Sequence, residues 1–148
     1  FLERALLLAH NITERQADKA DGRIWEHYTK TWEVDWEYNK NDPKNLFRPW
    51  GFQPGHHTEW AKLLLQIHQY QPQDWLVARA RSLFDAVIDI SWDNENGGLY
   101  YGFAPDSRIC DDEKYFTPTC PSTFRPSDFV STRPTATILR CKMKNIET

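Results

Sequence analysis

Two adjacent histidines are followed closely by a glutamate in the stretch Pro-Gly-His-His-Thr-Glu, residues 54–59. His56 and Glu59 are three residues apart, so they lie on one face if the stretch forms the first turn of a helix. An imidazole titrates near neutral pH and can accept or donate a proton, and a carboxylate beside it can orient the ring or stabilise its charged form. This pair is therefore a candidate edge of an active site.

Three amphipathic helices are predicted around this stretch. Apolar residues recur at intervals of three and four in residues 1–19, 59–69 and 75–90. Asp21-Gly22 predicts a turn after the first helix, and Thr58 and Asp74 are the predicted N-caps of the second and third. Because a short loop joins the last two helices, we expect them to form an αα-hairpin.

Two other stretches are predicted to lack helices. Residues 23–42 mix aromatic residues with Thr and Val without a helical period, which favours a long ordered loop with short strand-like pieces. Asn96-Gly97 is a hairpin turn signal, and Leu99, Tyr101 and Phe103 alternate after it as residues of a short strand do.

The composition argues against several classes of partner. The chain has 148 residues and a net charge of -3, with acidic and basic residues interspersed. This pattern gives no reason to expect nucleic acid or an anionic membrane as partner. No apolar run of about 18 residues and no secretory leader is visible, and the three cysteines fall late in the chain without metal-ligand spacing. We therefore expect a protein of a reducing compartment, the cytoplasm, without a metal site. No feature specifies an oligomeric state.

The sequence changes character after Phe116. Residues 117–134 contain four of the nine prolines among many Ser and Thr residues and few apolar ones. Such a segment cannot bury enough apolar surface to order itself. We interpret residues 1–116 as one domain and residues 117–148 as a low-complexity tail that we expect to be disordered.

Seven tryptophans are the unusual feature of the composition. Large aromatic side chains can fill a wide hydrophobic core. Their faces can also stack on the C–H faces of pyranose rings in a sugar-binding cleft. Composition leaves both interpretations open, although we expect Trp50 and Trp60 to belong to the core.

Three ordered motifs resemble those of a known family. They are Arg-Pro-Trp-Gly-Phe-Gln-Pro-Gly-His-His-Thr-Glu-Trp-Ala-Lys-Leu-Leu-Leu at residues 48–65, Asp-Trp-Glu-Tyr-Asn-Lys at residues 35–40, and Trp92-Asp93 with Gly-Gly-Leu-Tyr-Tyr at residues 97–101. Together they resemble the N-acylglucosamine 2-epimerase superfamily, which includes mannose and sulfoquinovose isomerases and cellobiose 2-epimerases. The first motif looks closer to the monosaccharide isomerases than to the disaccharide epimerases.

The resemblance implies a fold and a reaction. The implied fold is all-α, a partial (α/α)6 barrel made of αα-hairpins with long loops and a short β-hairpin. The implied reaction is aldose–ketose isomerisation or C2 epimerisation of a monosaccharide, without metal or organic cofactor. A histidine removes the proton on C2 of the opened sugar, and a cis-enediol forms. Returning the proton to C1 gives the ketose, and returning it to the other face of C2 gives the epimer.

The resemblance also assigns candidate roles to residues of the first motif. His56 follows Pro-Gly and matches the proton-transfer base, with Glu59 as its catalytic support, while His57 matches no functional position. Phe47, Arg48 and Gln53 precede the histidine on the same loop and are candidate substrate-binding residues. Arg48 has the alternative of pairing with a nearby carboxylate.

The chain departs from the family pattern after Lys114-Tyr115-Phe116. The family continues with Trp-Val-Gln-Ala-Glu, whose glutamate is functional, and later with a second catalytic histidine, whereas this chain continues with Thr-Pro-Thr-Cys. We therefore interpret the chain as a fragment of an isomerase or epimerase with a divergent tail. The alternative is a noncatalytic sugar- or protein-binding remnant of the same scaffold. A glycoside-processing enzyme would need a second acid across a cleft from Glu59, and none pairs convincingly.

Overall fold

The computed structural model describes residues 1–114, which form three helical segments followed by a small antiparallel sheet. The elements are α1 (Leu2–His10), continued by a π-helical segment (Asn11–Gln16) and a 3-10 turn (Ala17–Ala20), then α2 (Pro54–Tyr70), α3 (Asp74–Ser91), β1 (Gly102–Phe103) and β2 (Ile109–Asp111). The described part is mostly helical, which agrees with the predicted α-class, and it contains a two-stranded sheet in the order β1-β2. The complete barrel stays a prediction.

The first helical segment continues to Ala20 with a change of winding. Inside it, the hydroxyl of Thr13 donates to the carbonyl of Ala9 at 2.8 Å. Arg79 of α3 donates one hydrogen bond to the Thr13 carbonyl and a second, of 2.7 Å, to the Gly22 carbonyl. Helix α3 therefore satisfies one backbone acceptor in the π-helical segment and another just after the helical segment ends. The left-handed φ angles of Asp21 (53°) and Gly22 (73°) confirm the predicted turn.

Helices α2 and α3 form the predicted αα-hairpin. The loop between them has only three residues, 71–73, and the two helices pack along their length. Their facing side chains are buried together with residues from the first helical segment and the loop after it. The shared core contains Ala9, Ala17, Ile24, Ala61, Leu64, Leu76, Ala80 and Leu83.

Both predicted N-caps are wrong. Helix α2 begins at Pro54 rather than Glu59, so Thr58 lies inside it and donates its hydroxyl to the carbonyl of Gly55 at 2.8 Å. Pro54 suits the first helical position because its fixed φ is helical and no amide hydrogen is needed there. Asp74 is the first residue of α3 rather than its cap, since Gln73 occupies the N-cap position.

The loop between the first helical segment and α2 contains no helix, as predicted. A single antiparallel bridge, Tyr28 with Val34, is its internal strand-like pairing. A second bridge ties its end to the sheet, because the amides of Phe52 and Phe103 each donate to the other's carbonyl, at 2.8 and 3.1 Å. This bridge sets where the chain enters α2.

The predicted turn near Asn96-Gly97 is present, but the strand begins later in the chain than the alternation from Leu99 predicts. Gly97 and Gly98 have φ angles of 71° and 84°, and Trp92 bridges Leu99 across the turn. The sheet itself begins only at Gly102 and pairs forward with Ile109–Asp111. The loop at residues 104–108 therefore connects the two strands of the hairpin, and the Asn96-Gly97 signal marks a turn that precedes it.

The predicted tail, residues 117–148, lies outside the described residues. Within residues 1–114, no helix combines the length and apolar character that crossing a membrane requires.

Gly51 is the backbone position that we expect to be least tolerant of substitution. Its φ is 106°, and a Cβ there would lie 2.8 Å from the Phe103 carbonyl oxygen and 2.9 Å from the Cys110 Sγ.

We expect Gly51→Ala to lower the free energy of unfolding by about 3 kcal/mol, through steric overlap added to the backbone cost. The matched control is Gly97→Ala, whose φ of 71° is also left-handed but which has open space around it. Its expected loss is about 1 kcal/mol. Urea denaturation of the two variants measures both, and equal losses would contradict the crowding argument.

Candidate active site

His56 lies in the first turn of α2 and is held from one side by a carboxylate. Its Nδ1 is 3.0 Å from the Oε2 of Glu26, and the two side chains are 51% and 21% exposed. The hydrogen bond to Glu26 raises the pKa of His56 above its usual value, burial opposes this, and the charges of Glu26 and Glu59 add to it. Among residues 1–114, no hydrogen bond occupies Nε2 of His56, so that nitrogen is available to a reactant.

Glu59 lies one turn further along α2 and is exposed. Within the described part of the chain, it makes no hydrogen bond or ion pair with His56. Its negative charge still contributes to the raised pKa of His56. The His-x-x-Glu spacing therefore places the two side chains near each other on one helix, but the contact is electrostatic.

His57 is fully buried and bridges two parts of the backbone. Its Nδ1 lies 2.7 Å from the Gln53 carbonyl oxygen, and its Nε2 accepts the Ile24 amide hydrogen at 2.9 Å. Because a carbonyl only accepts, the proton must be on Nδ1. Burial lowers the pKa of His57 to about 4, so the ring is neutral near pH 7. Two consecutive histidines thus have opposite environments.

Gln53 immediately precedes α2 and is 3% exposed. Its backbone carbonyl accepts from His57, which fixes the residue at the base of the helix. Its side-chain Nε2 is buried and finds no hydrogen-bond partner among residues 1–114. A buried amide donor without a partner is costly, so this group is suited to bind a ligand hydroxyl or another part of the protein.

Phe47 and Arg48 lie on a loop whose backbone is braced by one side chain. Asn45 Oδ1 accepts both of their amide hydrogens, at 3.1 and 2.9 Å. Phe47 is 87% exposed, and Arg48 donates to the Tyr38 hydroxyl at 3.1 Å. The partner of Arg48 is thus a phenol rather than a carboxylate. In the described structure, no hydrogen bond or ion pair joins either residue to His56.

Two residues near the site escaped the sequence-based prediction. Glu26 is far from His56 along the chain, so no local spacing could reveal their contact. Arg23 places its guanidinium 5.3 Å from the centroid of the Phe52 ring and 5.8 Å from that of Phe103. These positions follow from how the loop after the first helical segment packs on α2 and the sheet. The only signal in the sequence was the presence of charged residues among aromatic ones.

Several of the tryptophans belong to the core rather than to a cleft. Trp25 is buried and its ring lies within 4.7–6.1 Å of the rings of Trp36, Trp50 and Phe52. As predicted, Trp60 packs against the core shared by α2 and α3, and Trp50 packs against a second buried cluster, which contains Ala20, Trp25, Phe52, Val87 and Phe103. The structure does not group three side chains of His, Cys, Asp or Glu for a metal ion anywhere in residues 1–114. The described site offers an imidazole that can transfer a proton, with the Glu26 carboxylate in contact with it and Glu59 acting on it through charge.

Sequence comparison identifies the family. The model of the N-acylglucosamine 2-epimerase (GlcNAc 2-epimerase) family matches residues 1–123. The chain belongs to this family. This confirms the resemblance that the three motifs indicated.

The chain is also similar to several D-mannose isomerases. It is 56% identical over 117 residues to the D-mannose isomerase of Marinomonas mediterranea, covering 78% of this chain and 30% of that protein. It is 38% identical over 104 residues to that of Thermobifida fusca, and 32% identical over 108 residues to that of Pseudomonas cannabina pv. alisalensis. Each of these two matches covers 68% of this chain and 26% of the relative.

The same similarity extends to a solved structure. A crystal structure of D-mannose isomerase superposes with a TM-score of 0.76 at 56% identity, over 78% of this chain and 30% of that one. The chain therefore spans less than a third of the length of the relatives that it matches.

Burial of neutral His57 makes the stability of the protein dependent on pH. Its folded pKa of about 4 lies below the ordinary value of 6.5, so the folded state binds its proton less readily. The contribution is complete above pH 6.5 and is lost as the pH falls through the folded pKa. We expect the free energy of unfolding to drop by roughly 3 kcal/mol between pH 7 and pH 4 from this group.

The variant His57→Gln tests this dependence because an amide side chain can donate and accept without titrating. Urea denaturation of both proteins at pH 7, 5.5 and 4 gives the difference between their unfolding free energies. We expect that difference to shrink as the pH falls. A constant difference would show that His57 does not carry the dependence.

Proposed function

We propose that this protein is a carbohydrate isomerase or epimerase that acts on a monosaccharide. Membership of the N-acylglucosamine 2-epimerase family and similarity to D-mannose isomerases support this proposal. The observation that carries it is the state of His56, a half-exposed imidazole with one nitrogen engaged by a carboxylate and the other available. D-Mannose is the first substrate to test, because relatives in three organisms are named for it.

In the proposed mechanism, His56 is the base that transfers the C2 proton. Neutral His56 takes the proton from C2 of the open-chain sugar. The electron pair of the C2–H bond forms the C1=C2 bond, the π pair of the C1 carbonyl moves to its oxygen, and that oxygen takes up a proton, which gives the cis-enediol. The resulting imidazolium returns a proton to C1 while the C2 hydroxyl gives up its proton, which gives the ketose. Epimerisation requires instead that a different donor protonates C2 on the opposite face while the C1 hydroxyl gives up its proton. A group whose ordinary pKa is near neutral pH suits both the removal and the return of the proton. The charge of Glu59 favours the imidazolium formed between them.

We propose that Phe47, Arg48 and Gln53 contact the sugar. The support differs among the three residues. Gln53 has a buried amide donor without a partner in the described residues, and Arg48 and Phe47 are held on a braced, exposed loop. We further propose that the described residues form part of an (α/α)6 barrel and that other segments of such a barrel complete the site. The extent of the match to its relatives supports this. The cytoplasmic location stays a prediction from the cysteine pattern.

One observation favours a second function. After Phe116, the sequence lacks the family's Trp-Val-Gln-Ala-Glu segment and continues with Thr-Pro-Thr-Cys. A chain without that glutamate is expected to retain a sugar- or protein-binding scaffold while losing turnover. This noncatalytic alternative predicts sugar binding without proton exchange.

Proton exchange at C2 separates these functions. The 148-residue chain is incubated with mannose, glucose, N-acetylmannosamine and sulfoquinovose in deuterated water, and deuterium at C2 is followed by NMR. A chimera in which residues 1–114 replace the matching part of the Marinomonas mediterranea D-mannose isomerase is assayed in parallel. We expect exchange in the chimera, with a loss of at least about 100-fold in His56→Ala, since general base catalysis contributes roughly that much.

The control variant is His10→Ala, which removes an exposed imidazole at the end of α1 that pairs with Glu14 of the following π-helical segment. We expect it to leave exchange unchanged. Exchange that survives in His56→Ala would sink the assignment of the base. Exchange in the chimera but not in the chain would favour the noncatalytic alternative for the chain itself.

A further inference from the structure

We propose that Glu26 is the positioning residue of His56, holding its Nδ1–H so that Nε2 is presented to the reactant, while Glu59 acts only through its charge. This inference rests on the proposed function, in which His56 transfers the proton. Glu26 lies outside the Pro-Gly-His-His-Thr-Glu stretch, on a different segment of the chain from α2.

The contact between Glu26 and His56 is one of two that connect the same pair of segments. The two adjacent histidines of α2 bind residues that lie two positions apart on the loop segment. His57 accepts the Ile24 amide hydrogen, and His56 contacts the Glu26 carboxylate. Between those partners, Trp25 is buried with its ring centroid 5.0 Å from that of Phe52. The segment is thus fixed next to Glu26 by the Ile24 hydrogen bond and the buried Trp25 ring, which keeps the Glu26 carboxylate within reach of His56.

The burial of Glu26 strengthens its hold on His56. The side chain is 21% exposed, and its second oxygen, Oε1, is buried without a hydrogen-bond partner among residues 1–114. A carboxylate in such surroundings is less screened than one in water, so its hydrogen bond to an imidazole is stronger and more directional. Glu59 is exposed, and solvent screens its charge.

This geometry fixes which nitrogen carries the proton. An ionised carboxylate only accepts hydrogen bonds, so Nδ1 of His56 must donate to Glu26. In the neutral ring, Nε2 then carries the lone pair that removes a proton. His57 has the same Nδ1–H tautomer for a different reason, because its Nδ1 donates to a backbone carbonyl. The carboxylate differs from the carbonyl in that it also stabilises the positive charge that His56 acquires after proton transfer.

Histidine NMR tests the pairing without requiring turnover. The 148-residue chain is labelled with ¹⁵N-histidine, and the ring nitrogens of His56, assigned by loss of its signals in His56→Ala, are titrated from pH 5 to pH 9. We expect the neutral ring to be the Nδ1–H tautomer and the pKa to lie above 6.5. Glu26→Gln keeps an acceptor but removes the charge, so we expect the tautomer to persist and the proton affinity to fall about tenfold, one pKa unit.

Two further variants make the result decisive. Glu26→Ala removes the acceptor as well, and we expect the tautomer preference to disappear with it. Glu59→Gln keeps the tautomer and is expected to shift the titration by less than half as much as Glu26→Gln. If both Glu26 variants leave tautomer and pKa unchanged, or if Glu59→Gln has the larger effect, the proposal is overturned.

The pH dependence of C2 exchange then connects the pairing to the reaction. The base must be neutral, so a lower pKa in Glu26→Gln moves the acid limb of the rate profile to lower pH, and the weaker base lowers the plateau. A purely structural Glu26 would reduce the amount of folded protein without moving the acid limb. If the NMR results hold while neither the 148-residue chain nor the chimera shows exchange, the pairing stands and the proposed function fails. The two failures are therefore distinguishable.

Discussion

The imidazole of His57 accepts a hydrogen bond from the Ile24 amide and donates one to the Gln53 carbonyl, and the arrangement of the site depends on this bridge. It joins the segment after the first helical stretch to the start of α2 in a buried region. Leaving either backbone group unpaired there costs about 1–3 kcal/mol. The bridge therefore keeps Glu26 and His56 on neighbouring segments, although neither of them belongs to it.

The two adjacent histidines have different protonation behaviour and different roles because their environments differ. His57 is enclosed, loses the ability to charge near neutrality and serves as a fixed link. His56, one position earlier on the same helix, projects to a half-exposed location beside an acid and becomes a better proton acceptor. Successive residues of a helix point about 100° apart, which is enough to send one ring into the core and the other toward its surface.

Sequence periodicity predicted the helices well because their packing depends on regular apolar spacing, as with Leu64 on α2 and Leu83 on α3. Helix starts were poorly predicted. Thr58 has the chemistry of a cap, but Pro54 fits the first turn and the backbone bridge at Phe52 brings the chain into position earlier. For the site, the local motif supplied His56, whereas Glu26 depends on contacts between distant segments that no spacing encodes. The proposed roles of Phe47, Arg48 and Gln53 come from the family resemblance.

The paired backbone hydrogen bonds between Phe52 and Phe103 set the rotational phase of α2. Only Gln53 separates Phe52 from the first residue of the helix. Inserting one residue in that interval would turn α2 by about 100° relative to the sheet and move His56 into the direction that His57 now takes. Deleting one residue would move His57 into the direction that His56 now takes. Homologues of this protein should therefore tolerate insertions and deletions in the loop around Phe47 far more readily than in the few residues between Phe52 and His56.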